Sequence, residues 1–143
     1  MLHFSLHTLV YLAGIAQLVL SAGSIAIPFL LNWKSEMAKV SPLIKNIFYT
    51  YSVYIFLTNV WFGIVSICLP HELVNNSSLA GFLTAFIAVY WWGRVGVQFT
   101  FGKAEGRPTG LIFTLGEVTL WLLFLALSIV YTTAALYNFG FNI

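Results

Sequence analysis

Residues 9–31, 47–69, 79–101 and 111–137 form four apolar stretches that contain only two charged side chains between them, Arg94 and Glu117. A helix that crosses the hydrocarbon core of a bilayer needs about 20 mainly apolar residues, and modest tilt absorbs any excess. Each stretch meets that length. A membrane β-barrel would instead show many shorter segments of alternating polarity, and the chain has none of that pattern. Only 7% of the 143 residues are charged and 60% are hydrophobic, whereas soluble domains carry roughly 25% charge. A water-facing surface cannot be assembled from this inventory. The expected fold is all-α: a four-helix transmembrane bundle, up-and-down. It forms one integral membrane domain over residues 1–143, with helices at about 3–31, 42–69, 79–101 and 110–137.

The second helix is expected to begin at Ser41-Pro42, a serine cap followed by a first-turn proline. The first is read as a retained span and not a cleaved leader. Small residues at 21–26 resemble a cleavage site, but the first ten residues hold no Lys or Arg to form a basic n-region. Loop 32–46 carries Lys34, Lys39 and Lys45 against Glu36, and loop 102–110 carries Lys103 and Arg107 against Glu105. The middle connection holds only His71 and Glu72. The positive-inside rule therefore puts loops 32–46 and 102–110 in the cytoplasm, and both termini on the non-cytoplasmic side.

Several classes of activity are excluded. Walker A, GxSxG, GxGxxG and HExxH elements are absent, and no polar domain could house a soluble active site. A net charge of +2 without a basic cluster argues against a nucleic-acid partner. The single cysteine, Cys68, precludes an intrachain disulfide or CxxC chemistry and reads as a small buried hydrophobe.

Each apolar stretch nevertheless has a small or polar face at helical spacing. Gly14, Gln17, Ser21 and Ser24 share one side of the first, and Ser52, Asn59, Gly63 and Ser66 one side of the second. Gly81, Ala85 and Ala88 form a strip on the third, beside a second strip of Tyr90, Arg94 and Gln98. Thr114, Glu117, Trp121, Ser128 and Thr132 line up on the fourth. In a membrane such faces turn toward other helices.

Arg94 lies eight residues before Gly102 and Glu117 seven after Gly110, so the two are expected at equal depth on neighbouring helices. An unpaired charge at the bilayer centre costs about 2.5–3.5 kcal/mol on insertion scales. They are therefore expected to form an intramembrane ion pair, with Gln98 and Asn59 as polar neighbours. The pair has two readings: a staple that fixes helix register, or a site that binds an anion or handles protons.

Tyr90, Trp91, Trp92 and Trp121 lie away from the segment ends, where interfacial aromatics would sit. Around Arg94 they suggest walls for a lipidic or quinone-like ligand with an anionic or carbonyl end. His3 and His7, spaced i, i+4, share one end of the bundle with His71 and Glu72, and together form a candidate metal set.

The functional expectation is a non-catalytic subunit or accessory scaffold of a membrane assembly, with a membrane-protein partner or a second copy of the chain beside it. The alternative is a small enzyme or carrier for a lipidic ligand at the Arg94, Glu117 and aromatic pocket. No catalytic residue and no cofactor is assigned.

Overall fold

The computed structural model describes residues 5–101, 103, 105, 106 and 108–141. These residues contain helices and no strand. Four helical spans, Leu6–Leu30, Pro42–Cys68, Ser78–Phe101 and Leu111–Asn138, are long and apolar enough to cross a membrane.

Helix α1 covers Leu6–Ser24 and α2 covers Ile27–Leu30, so the expected single helix to residue 31 is broken. Pro28 explains the break. It has no N–H to give the carbonyl of Ser24 four residues earlier. The chain instead tightens through Ile25 N–H to Ala22 O and Ala26 N–H to Gly23 O, at 3.3 and 3.1 Å. Asn32, in the left-handed region at φ 49°, then turns the backbone into α3, Trp33–Met37.

Helix α4, Pro42–Cys68, starts where the Ser-Pro pair places it, with the Ser41 side chain accepting from the Ile44 N–H at 3.5 Å. Its final residue, Cys68, is exposed, which corrects the expectation of a buried thiol. Cys68 lies seven residues after the exposed Trp61, on the same outward face of α4.

A 3₁₀ turn, Glu72–Val74, precedes α5, Ser78–Phe101. Helix α6 covers Leu111–Asn138. Gly140 at φ 82° closes α6: its N–H bonds Tyr137 O and that of Phe141 bonds Leu136 O, both at 3.0 Å. This is the double bond of a Schellman stop.

The expected polar faces turn inward in large part, though Thr114 of the α6 face is exposed. Gly14, Gln17 and Ser21 of α1, Asn59, Gly63 and Ser66 of α4, Gly81 and Ala88 of α5, and Ser128 of α6 are all buried. The outer surface is apolar instead, as Phe29, Ile112, Leu79 and Leu111 illustrate. Polar inside and apolar outside is the arrangement that a lipid solvent favours.

The helices associate as two close pairs. In α1–α4, a Cβ added to Gly14 would lie 2.9 Å from the carbonyl oxygen of Gly63, so backbone touches backbone. In α5–α6, the Phe139 ring occupies the space over Gly81 and stacks edgewise on Phe82 at 5.6 Å. Between the pairs, α1 packs on α6. Helices α4 and α5 approach mainly through side chains, with Phe62 set edgewise against Phe86 and Tyr90.

Candidate functional site

The centre of the bundle is a hydrogen-bonded knot to which each long helix contributes one residue. Gln17 of α1, Ser66 of α4, Trp91 of α5 and Tyr131 of α6 are all fully buried. The Trp91 indole can only donate, and it gives its proton to Gln17 Oε1 at 3.1 Å. That choice turns the amide nitrogen of Gln17 toward the Tyr131 hydroxyl at 2.5 Å and Ala13 O at 3.2 Å. The same hydroxyl lies 2.6 Å from Ser66 Oγ. Sequence reasoning places Gln17, Ser66 and Trp91 on inward or aromatic positions but misses Tyr131. The available signal was its position three residues after Ser128, on the same side of α6 as Ala134 and Ala135.

The expected ion pair is not formed. Among the described residues the ion pair is Lys39–Glu36, at 2.7 Å on an exposed surface. Arg94 is half-buried, with its guanidinium carbon 5.6 Å from the centre of the Phe124 ring. Register explains the correction. Along α5 and α6, Trp92 donates to Thr132 at 3.1 Å, and Phe99 meets Trp121 at 4.4 Å between ring centres. These contacts set Arg94 opposite the α6 turn just past Phe124, whose ring its side chain reaches, and Glu117 lies a further seven residues nearer the loop than Phe124, about 10 Å along the axis. Beyond the Phe99–Trp121 level, α6 has a further ten residues and α5 two, so α6 overhangs its partner. Glu117 sits on that overhang. It lines an open cleft of about 550 Å³ with Gln98, Phe113 and Thr114, against Leu30 and Leu31 of the first span. Gln98 therefore accompanies Glu117, not Arg94.

The aromatic walls also separate. Successive helix residues point about 100° apart, so Trp91 enters the knot while Trp92 is exposed toward α6. Trp121 packs on Phe99, nearer the loop. Tyr90 stays with Arg94, its ring 5.3 Å from Phe62 and 5.4 Å from Trp91. Asn59 of α4 and Arg94 are the polar side chains facing the Tyr90 hydroxyl. Asn59 Oδ1, Tyr90 Oη and Arg94 Nε are buried, and although Asn59 and Tyr90 face each other closely enough to interact, none of the three atoms meets a partner at full hydrogen-bond geometry.

At the opposite end, His7 and His71 do come together, with ring centres 4.3 Å apart and planes 33° from parallel. Ser5 Oγ lies 3.0 Å from His7 Nε2, and the Glu72 carboxylate accepts from Asn75 Nδ2 at 3.0 Å. His3 lies outside the described residues. Among those described, no three His, Cys, Asp or Glu residues gather as metal ligands.

The same end holds a second polar cluster that sequence reasoning did not anticipate. Asn138 donates to Leu73 O at 2.8 Å and accepts from the Asn76 N–H at 3.0 Å. It thereby ties the 69–77 connection across the end of α6. Four helical spans long and apolar enough to cross a membrane, packed around a polar centre, have the build of a small multi-pass membrane protein. Set beside known protein families, curated proteins and solved structures, the chain finds no match.

Proposed function

We propose that this protein is a non-catalytic integral subunit of a larger membrane assembly, and that the outer face of α4 carries the contact. One observation supports this reading above the others. Tyr54, within one residue of the middle of α4, is 62% exposed, and Trp61, about two turns further on, is 65% exposed. Neither polar tip has a partner among the described residues. At hydrocarbon depth a phenol O–H or indole N–H finds no acceptor in acyl chains. A neighbouring helix presenting a carbonyl, hydroxyl or amide would provide one. The partner is another membrane protein or a second copy of this chain.

In this reading the spans alternate in direction, and loops 32–46 and 102–110 share the cytoplasmic side with their five cations. A photocrosslinking residue at position 54 or 61 in native membranes is expected to capture a stoichiometric protein. The same residue at position 122, on the outer face of α6, should capture lipid. Capture of lipid alone from all three positions would overturn the reading.

A further inference from the structure

Buried polar groups in this bundle are almost all satisfied within the chain. Among the described residues, Gln17, Ser21, Ser66, Thr84, Ser128 and Asn138 are buried, and each has a hydrogen-bond partner. Asn59, 6% exposed, is the exception. Its Oδ1 shares that condition with two atoms across the α4–α5 seam, Tyr90 Oη and Arg94 Nε. The deficit is therefore concentrated in one place and drawn from two helices. A buried polar atom without a partner is costly, and such atoms in native proteins call for an explanation.

The place itself is distinctive. Helices α1–α4 and α5–α6 pack closely, but α4 and α5 are held apart by the Phe62, Phe86 and Tyr90 rings. Tyr90 and Arg94 are one turn apart on α5, so both reach the same strip of the seam. The guanidinium is the only charge that α5 carries inside its span, and it lies seven residues from the end of the helix at Phe101. A cation there is tolerated when an anion or a set of acceptors meets it.

We infer that the seam between α4 and α5 binds an oxyanion headgroup, carboxylate or phosphate, whose oxygens accept from Arg94 and Tyr90. A phosphate monoester that keeps one proton also donates to Asn59 Oδ1, whereas an ionised carboxylate, which only accepts, leaves that atom unmet. The donor-acceptor pattern selects the chemistry: a guanidinium donates and cannot accept, a phenol can donate, and an amide oxygen accepts. Phe86 at the edge of the seam is exposed on the apolar outer surface, which suits an amphiphile arriving from the bilayer. A soluble anion would satisfy the same three atoms and is separated from a lipid by the test. This inference does not rest on the assembly role of α4's outer face.

The test uses the full chain in a neutral detergent, with native mass spectrometry and thermal melting as readouts. The probes are dioleoyl phosphatidate, oleate, dioleoyl phosphatidylcholine and inorganic phosphate. Wild type is expected to bind one phosphatidate or oleate more tightly than phosphatidylcholine. Arg94→Gln should weaken that binding about ten- to hundred-fold, the scale of lost charge-assisted hydrogen bonds. Tyr90→Phe keeps the ring and removes only the hydroxyl; a loss of about three- to ten-fold is expected. It carries the test if Arg94→Gln fails to fold. Trp92→Phe, outside the seam, should bind as wild type does. Tight binding of inorganic phosphate, lost in the same variants, would support the oxyanion site and assign it a soluble ligand. Equal affinity for phosphatidate, oleate and phosphatidylcholine, or unchanged binding in Tyr90→Phe, would overturn the inference.

Discussion

Tyr131 is the side chain on which most of the interior converges. Its hydroxyl is met by the amide of Gln17 and by Ser66, from two other helices. Hydrogen bonds between helices in a membrane average only about 0.6 kcal/mol, because separated helices also find partners. Leaving a buried donor unmet adds to that cost. Tyr131→Phe is therefore expected to lose about 1–2 kcal/mol of stability, measured as unfolding in mixed detergent micelles. Gln17→Leu should lose at least as much, because the buried Trp91 indole then lacks its acceptor and Tyr131 keeps only Ser66. The double variant should fall well short of the sum of the two. Strict additivity would mean that the knot is not a unit.

Among helix pairs, the glycines give a sharper forecast. Replacing an interior helical glycine by alanine gains about 1 kcal/mol of helix propensity. At Gly14 the new Cβ would meet the Gly63 carbonyl oxygen at 2.9 Å, an atom of the backbone that cannot swing away. At Gly93 it would meet nothing within 4 Å. Overpacking of this kind costs about 1–3 kcal/mol, enough to reverse the sign. Gly14→Ala should lower the melting temperature, and Gly93→Ala should hold or raise it. Matching shifts in both variants would remove close backbone packing from the account of α1–α4.

The same scale separates what could be read from the chain and what could not. The four spans follow from the scarcity of charge, the start of α4 from Ser41-Pro42, and the inward faces from Gly14, Asn59, Gly63 and Ser128. The height of α6 against α5 did not follow. Equal distances of Arg94 and Glu117 from the intervening loop say nothing about how far one helix overhangs the other, and side-chain packing such as Phe99 on Trp121 sets it. The role of Tyr131 is hidden from the sequence for a related reason. Its partner Gln17 lies 114 residues away in sequence, and no local pattern announces a hydrogen bond between such distant positions. The Pro28 break was visible in principle, since a proline inside an apolar run removes one rung of the helix.

For the molecule as a whole, sidedness is the open forecast. In a Cys68→Ser background, single cysteines at Lys39 and Lys103 should react with an impermeant maleimide only after the membrane is opened from the cytoplasmic side. A cysteine at Asn75 should react from the other side. Labelling of 39 and 75 from the same face would refute the alternating path of the chain.

The division into two tight pairs has a mechanical consequence. Backbone contact at Gly14–Gly63 and the capped fit of Phe139 over Gly81 make each pair a stiff leaf, while α1 against α6 serves as the spine of a book. The softest deformation is then a page-like swing that widens the α4 edge and leaves the spine closed. Phe62 against Tyr90 and Ser66 on Tyr131 are the clasps that such a swing must release.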